Sequence, residues 1–114
     1  MNVSNPNRGV VLAGDCRVAT GFWPRARGLL FSSPLLEGQG LWLDPCQSVH
    51  TILMGYPIDV LFLDKENRVA HLIQAMPPYR ASRFVWRARS VLELPAGTVA
   101  RTRTAVGDQL LLRT

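Results

Sequence analysis

The fold is decided by the stretch Ser48-Val-His-Thr-Ile-Leu-Met-Gly-Tyr-Pro-Ile-Asp-Val-Leu-Phe-Leu-Asp64. Its second half, residues 58–63, is apolar except for Asp59, and the polar tetrad Asp64-Lys-Glu-Asn67 follows it. A short apolar run that ends at turn-forming residues predicts a strand buried on both faces. Because an unpaired carboxylate is unfavourable in such a strand, we expect Asp59 to accept hydrogen bonds from donors around residues 48–54.

Length and composition predict a single domain over residues 1–114. The 114 residues are 47% hydrophobic, which is enough to build a core. No apolar run reaches the roughly 18 residues that a transmembrane helix needs. Residues 1–8 also lack the basic and apolar regions of a signal peptide. These features predict a cytoplasmic protein without a membrane span.

The charge of the chain is positive and is carried almost entirely by arginine. Thirteen Lys and Arg residues against eight Asp and Glu give a net charge of +5, and Lys65 is the only lysine. A basic protein can bind nucleic acid, lipid or acidic protein surfaces, although charge alone does not require such a partner. Composition therefore permits an anionic partner.

Cys16 and Cys46 are far apart in the sequence and do not form a Cys-x-x-Cys motif. In a cytosolic chain such thiols are usually reduced and are often buried. A disulfide between them is the less favoured alternative.

Short apolar runs separated by Gly, Pro and Asp predict a mainly β fold, a sandwich or barrel with one or two short helices. The strands are predicted at residues 9–13, 17–22, 38–43, 58–63, 68–73, 80–89, 91–94 and 109–112, and the helices at 24–31 and 98–103. We expect the first two strands to pair as a hairpin. The strands at 58–63 and 68–73 should form a second hairpin, with Asn67 in the left-handed conformation. Thr98 is expected to cap the second helix.

Five stretches carry a resemblance to a known family: Arg25-Ala-Arg-Gly-Leu-Leu30, Pro45-Cys-Gln-Ser-Val-His-Thr51, Pro57-Ile-Asp-Val-Leu-Phe-Leu-Asp64, Val91-Leu-Glu-Leu-Pro-Ala-Gly97 and Val106-Gly-Asp108. In this order they resemble a small prokaryotic family, domain-of-unknown-function family one-nine-two, most strongly over residues 25–112. The resemblance implies a compact, jelly-roll-like β domain, and it carries over no catalytic residues to this chain. Many relatives have an aromatic-Met-Lys-Asn-Thr segment at residues 50–54. A subgroup shares the Val-His-Thr form, usually with a basic residue where this chain has Gly55.

The first candidate site consists of Cys46, His50, Thr51 and Asp59. The favoured interpretation is structural, with His50 and Asp59 bonded to each other or to nearby backbone groups. A small-ligand pocket is the next alternative, and a metal site or a thiolate–imidazole pair is the least favoured. A Cys-x3-His spacing lacks the third and fourth ligands that a zinc site normally has. We therefore predict no metal and no cofactor.

The second candidate site is the arginine-rich stretch of residues 80–89. At the period of a strand, Phe84, Trp86 and Ala88 face one way, and Arg83, Arg87 and Arg89 face the other. This pattern favours a buried aromatic side and a solvated basic surface. Nucleic-acid binding through this strand is the less favoured alternative, since it needs aromatic and basic groups on the same side.

Glu93 lies between two leucines in a predicted strand. It either points outwards or forms an internal ion pair with an arginine such as Arg25 or Arg27.

The sequence therefore favours a non-enzymatic module that binds a small ligand or an acidic protein partner. The binding site is expected near His50 and Asp59, at the beginning of the central strand. A small hydrolase that uses Cys46 or His50 is the alternative from a different class. Nucleic-acid binding through residues 80–89 is the third.

Overall fold

The computed structural model describes residues 1–21, 34–51 and 55–114. At its centre lies the strand predicted from the apolar run, and all six residues of that strand are buried. The strands are β1 (Asn2–Asn5), β2 (Val10–Ala13), β3 (Asp15–Ala19), β4 (Gln39–Leu43), β5 (Ile58–Leu63), β6 (Val69–Met76), β7 (Ser90–Pro95) and β8 (Leu111–Arg113). A 3-10 turn spans Pro6–Arg8, and one α-helix, α1, spans Thr98–Thr102.

The strands form two sheets that give a mainly β, sandwich-like fold. The larger sheet has the order β3-β4-β7-β5-β6, and the smaller has the order β2-β1-β8. Strands β3 and β4 are parallel, whereas the other pairs are antiparallel. The predicted fold class is therefore confirmed. None of the helices within the described residues is long and apolar enough to span a membrane.

The larger sheet buries both of its faces, because side chains alternate along each strand. On one face Leu61, Leu63, Leu92 and Leu94 pack against residues of the smaller sheet and α1. We call this the sandwich face. The opposite face carries a second core cluster of Ile58, Val60, Phe62, Val91, Val49, Val85 and Ala88 among others. We call it the far face. A candidate site on one face is thus separated from the other face by the sheet.

The predicted central hairpin is confirmed. Strands β5 and β6 pair antiparallel, and Asn67 in the connecting loop has a φ of 64°. The strands predicted at 38–43 and 91–94 are also present as β4 and β7, and the last strand begins two residues later than expected.

The predicted N-terminal hairpin is wrong. Strands β2 and β3 lie in different sheets, because β2 pairs with β1 and β3 pairs in parallel with β4. Only Gly14 separates β2 from β3, which leaves too short a connection for a hairpin turn. Strand β1, with the sequence Asn-Val-Ser-Asn, has too few apolar residues to be predicted. The helix predicted at 24–31 falls outside the described residues.

Helix α1 lies close to its predicted position, but its start is built differently. Gly97 occupies the N-cap position, and the Thr98 hydroxyl donates to the Pro95 carbonyl at 2.8 Å. The first N–H groups of a helix have no intrahelical partner. Here one of them, on Val99, donates to Asp59 Oδ2 at 2.8 Å. The helix is therefore held from the central strand and not by Thr98.

Asp59 is fully buried and satisfied by backbone donors. Besides the Val99 N–H, it accepts a hydrogen bond at Oδ1 from the Ala75 N–H at 2.7 Å. Burial and backbone bonding are as predicted. The two observed donors lie on β6 and α1 and not among residues 48–51, whereas residues 52–54 of the expected donor segment fall outside the described residues. The carboxylate joins β6 and α1 to β5, since side-chain alternation places it on the sandwich face.

A second carboxylate joins the ends of the chain. Asp108 Oδ2 accepts hydrogen bonds from Asn5 Nδ2 at 2.9 Å, Arg8 Nε at 3.1 Å and the Ala105 N–H at 3.0 Å. The hydrogen bond from Arg8 is the main cause that lowers the pKa of Asp108 below its usual value. These bonds fix the smaller sheet to the loop before β8.

Glu93 on β7 is a buried acid whose carboxylate is not fully hydrogen-bonded within the described residues. Its cross-strand neighbours are Val60 and Leu41, which place it on the far face. The residue is only 3% exposed, and its Oε1 has no hydrogen-bond partner within the described ranges. The outward-pointing alternative is therefore wrong, and the pairing with Arg25 or Arg27 lies outside the described residues. Burial raises the pKa of Glu93 to about 7.

We predict that Asp59→Ala lowers the free energy of unfolding by roughly 2–4 kcal/mol, because it removes the acceptor of one buried and one partly buried N–H group. Asp59→Asn should cost less, since one acceptor oxygen remains. Urea unfolding measures both, with the exposed Asp15→Ala as the matched control. An unchanged midpoint for Asp59→Ala would contradict this structural role.

We also predict a pH-dependent difference between the wild type and Glu93→Gln. Glu93 has an ordinary pKa of 4.5 and a folded-state pKa of about 7. At pH values between these two, the Glu93 carboxyl is protonated in the folded state and ionised in the unfolded state. The wild type should therefore lose stability as the pH rises through this window, by up to about 3 kcal/mol, and lose no more above it. Glu93→Gln should lack this loss.

The measurement is chemical unfolding at pH 4.5 and pH 7.5, with the exposed Glu37→Gln as the control. The difference between variants is the relevant quantity, because other groups titrate in the same range. Parallel pH profiles for the wild type and Glu93→Gln would contradict the prediction.

Candidate functional site

The two candidate sites of the sequence analysis form one structural unit. Residues 46–51 and 79–89 run antiparallel and are joined by backbone hydrogen bonds. The Thr51 N–H donates to the Arg80 carbonyl at 2.7 Å, the Ser82 N–H to Val49 at 2.8 Å and the Val85 N–H to Gln47 at 2.8 Å. We call these two segments the ribbon. Their pairing brings the His50 segment beside the arginine-rich segment.

The ribbon is attached to the far face of the sheet by three small apolar side chains. Val49, Val85 and Ala88 are buried in the core cluster of that face. The Ala88 N–H donates to the Val85 carbonyl at 3.0 Å, which closes a turn. Trp86 and Arg87 occupy the two central positions of this turn. The turn therefore directs Val85 and Ala88 inwards and leaves Trp86 and Arg87 at the surface.

Three large aromatic side chains of the ribbon face solvent. Tyr79 is 67% exposed, Phe84 is 61% exposed and Trp86 is 74% exposed. The predicted buried aromatic side is therefore wrong. Within residues 80–89 the structure has a single β-bridge, at Ala81, followed by the turn after Val85. The alternation with a period of two does not hold in this segment. Val85 is therefore buried, and Phe84 and Trp86, which the pattern predicted to be buried, are exposed.

The same surface carries four arginines and no acidic residue. Arg80, Arg83, Arg87 and Arg89 are all exposed, and residues 79–89 contain neither Asp nor Glu. Arg89 Nε lies 3.5 Å from Asp44 Oδ1, and it is the one arginine of this segment in an ion pair among the described residues. The exposed basic surface of Arg83, Arg87 and Arg89 is as predicted. The aromatic rings now lie on the same exposed segment as the arginines.

Thr51 fixes the start of the ribbon. This residue is fully buried, and its hydroxyl donates to the Pro77 carbonyl at 2.6 Å while it accepts the Arg80 N–H at 2.9 Å. The Tyr79 N–H donates to the Thr51 carbonyl at 3.0 Å. Tyr79 itself has a φ of 62°, which is unfavourable for a residue with a Cβ. Thr51 thus holds Tyr79 in a strained backbone conformation.

Of the four predicted site residues, the structure brings three together and separates the fourth. Cys46, His50 and Thr51 lie on the ribbon, whereas Asp59 lies on the sandwich face and is bonded to β6 and α1. His50 is exposed, and its backbone bridges Ala81. The Cys46 Sγ donates to the Ser48 carbonyl at 3.1 Å. The Asp59 carboxylate is therefore not a partner of the His50 side chain.

Neither metal chemistry nor a disulfide is supported by the described residues. They contain no group of three His, Cys, Asp or Glu side chains that could hold a metal ion. Cys16 and Cys46 do not form a disulfide with each other. Burial raises the pKa of Cys16 to about 11, so this thiol stays protonated at neutral pH.

The ribbon also approaches a histidine that the sequence analysis did not connect with it. His71 on β6 packs its ring against Phe62, with ring centroids 5.5 Å apart. Burial lowers the pKa of His71, and the positive charge of Arg83 lowers it further. Such a cross-sheet neighbour has no sequence signal, because residues 71 and 83 meet only through the fold.

Two surface cavities flank charged residues. One of about 370 Å³ lies beside the ribbon turn and is lined by Asp64, Lys65, Glu66, Trp86, Arg87, Ala88 and Arg89. The other, of about 440 Å³, is lined by Asn7, Arg8, Val10, Arg101, Thr102 and Arg103. In the second cavity Arg8 is already bonded to Asp108, and Arg101 lies 3.6 Å from Glu37. The first cavity therefore belongs to the ribbon, and the arginines of the second are mostly engaged.

Two curated relatives are both named UPF0127 proteins. A UPF0127 protein of Pyrococcus horikoshii is 29% identical over 113 residues, covering 95% of this chain and 96% of that protein. A UPF0127 protein of Thermococcus sibiricus is 28% identical over 118 residues, covering 93% of this chain and 71% of that protein.

Two crystal structures share the fold. A protein of unknown function from Novosphingobium aromaticivorans matches with a TM-score of 0.77 at 22% identity, over 85% of this chain and 74% of that one. A protein from Sinorhizobium meliloti, described as a candidate transcription regulator, matches with a TM-score of 0.74 at 25% identity, over 84% of this chain and 79% of that one. The model of the family DUF192, described as an uncharacterised ACR, matches residues 3–112. The chain therefore belongs to the DUF192 family, as the five sequence stretches indicated.

Proposed function

We propose that this protein is a non-enzymatic binding module that holds an anionic partner on the ribbon. The observation that carries this proposal is the exposure of Tyr79, Phe84 and Trp86 among four arginines. Exposed apolar groups that cluster on a surface are typical of interaction sites. Tyr, Trp and Arg are also the residue types that contribute most to binding energy at interfaces.

The rigidity of the ribbon supports this proposal. Its two segments are bonded to each other, and Val49, Val85 and Ala88 fasten them to the core. A surface that is already ordered loses little conformational entropy when a partner binds. The strained backbone of Tyr79 fits the same interpretation, because strain is retained where the surrounding structure enforces a particular side-chain position.

The proposed site keeps part of the site expected from the sequence. His50, Cys46 and Thr51 form one edge of the ribbon, with Thr51 as its anchor. Asp59 acts elsewhere, as the bond between β5, β6 and α1.

The anchoring role of Thr51 gives a stability prediction. Thr51→Val should lower the free energy of unfolding by about 1–3 kcal/mol, because it removes a buried hydroxyl that bonds to two backbone groups. Thr51→Ser should keep most of the stability, since it retains the hydroxyl. Urea unfolding is the measurement, and the exposed Thr114→Val is the control. Equal midpoints for Thr51→Val and the wild type would show that the ribbon is held by other contacts.

The binding proposal is tested with three polyanions at low salt: poly-L-glutamate, a single-stranded oligonucleotide and vesicles of an anionic phospholipid. We expect at least one to bind, and Arg83→Gln/Arg87→Gln should weaken that binding about tenfold or more. The matched control is Arg17→Gln/Arg113→Gln, which removes the same charge from exposed positions outside the ribbon. The control should weaken binding much less than the ribbon variant does, because Arg17 and Arg113 lie outside the ribbon and act on the polyanion only at a distance.

Two results would overturn the proposal. One is the absence of binding to all three polyanions at low salt. The other is an equal loss of affinity in both double variants, which would mean that net charge and not the ribbon determines binding.

A further inference from the structure

We infer that the partner held by the ribbon is single-stranded nucleic acid, whose bases stack on Phe84 and Trp86 and whose phosphates contact Arg83 and Arg87. This inference rests on the proposed function and names its partner. The chemistry combines cations that track a backbone with rings that stack on bases, and it applies to DNA and RNA alike.

The first argument is the kind of apolar surface that the ribbon exposes. Among its residues, the aliphatic side chains of Val49 and Val85 are buried, and the large apolar side chains left at the surface are aromatic. Because aromatic rings are also common at protein interfaces, the exposed rings separate nucleic acid from a membrane surface and not from an acidic protein. A membrane-inserting surface generally exposes Leu or Ile beside Trp and Phe. Exposed rings without exposed aliphatic neighbours suit flat, stacking ligands best.

The second argument is spacing. Phe84 and Trp86 are two residues apart, so their Cα atoms are farther apart than the 3.4 Å rise between stacked bases in a duplex strand. The Phe84 and Trp86 rings make no contact with each other in the described structure, so each ring can stack on a separate base. Bases inside a duplex cannot separate without unpairing or unstacking, which favours a single strand.

The third argument is the distribution of charge around the rings. Arg80, Arg83 and Arg87 form no ion pair among the described residues and remain available to phosphates. The cavity of about 370 Å³ beside Trp86 is lined by Lys65, Arg87 and Arg89 as well as by Asp64 and Glu66, so basic residues outnumber acidic residues there too. The backbone of a bound strand is therefore expected along the arginines, with a base directed towards Trp86.

A second copy of this chain is a poorer occupant of the same surface. In a two-fold dimer the same patch meets itself. The ribbon would then bring the exposed arginines of both copies together without any acidic residue from residues 79–89 to balance them. Charge complementarity thus favours a polyanion over self-association.

The test is fluorescence anisotropy with a labelled single-stranded oligothymidylate on the full chain. Phe84→Leu and Trp86→Leu should each weaken binding by about 5- to 100-fold, because stacking contributes roughly 1–3 kcal/mol per base. Trp86→Phe keeps a ring and should restore most of the affinity. Arg83→Gln should lower the slope of log affinity against log salt by about 1, whereas Trp86→Leu should leave that slope unchanged. Circular dichroism and urea midpoints confirm that each variant is folded.

The outcomes separate this inference from the proposed function. If poly-L-glutamate or anionic vesicles bind through Arg83 and Arg87 but the oligonucleotide does not, the inference fails and the proposed function stands. If the oligonucleotide binds but Trp86→Leu has no effect, stacking is wrong and the inference fails. A dimer in light scattering that Trp86→Leu dissociates would assign the ribbon to self-association. The absence of binding to every polyanion would overturn both.

Discussion

A carboxylate inside a strand that is buried on both faces is the constraint on which the described structure depends. Asp59 is fully buried on β5, and water cannot satisfy it there. Two neighbouring elements supply the missing donors, through the N–H groups of Ala75 and Val99. Strand β6 adopts a positive φ of 49° at Ala75, and α1 starts with its free N–H group directed at the sheet. The Asp59 side chain thus links β5, β6 and α1.

The two faces of the larger sheet have different roles because of this arrangement. Asp59 and the leucines of β5 and β7 occupy the sandwich face, where α1 and the smaller sheet cover them. The far face is partly covered by the ribbon, which contributes only small or aliphatic side chains to the core. The larger aromatic side chains of the ribbon therefore remain outside. Glu93 shares the far face, and burial raises its pKa to about 7, so that it titrates near neutral pH.

The sequence predicted the elements whose signals are local, and it failed where the structure depends on distant pairing. The apolar run of β5 and the turn at Asn67 are local features, and both were predicted. The donors to Asp59 come from residues 16 and 40 positions away, which no local pattern indicates. The strand predicted at residues 80–89 is wrong because Phe84 and Trp86 are apolar and fit a period of two. The turn after Val85 contains no Gly, Pro, Asn or Asp at its centre, so it gives no sequence signal.

The same misleading pattern is the strongest argument that the ribbon has a role beyond folding. A chain that only needed to cover the far face would gain more by burying Phe84 or Trp86 than Val85, since aromatic side chains bury more apolar area. Instead the turn buries Val85 and Ala88 and leaves Trp86 74% exposed. Thr51 meanwhile holds Tyr79 in an unfavourable backbone conformation that also leaves its ring 67% exposed. Local preference and core packing both disfavour this surface, and such conflicts are expected where a site has been retained for binding.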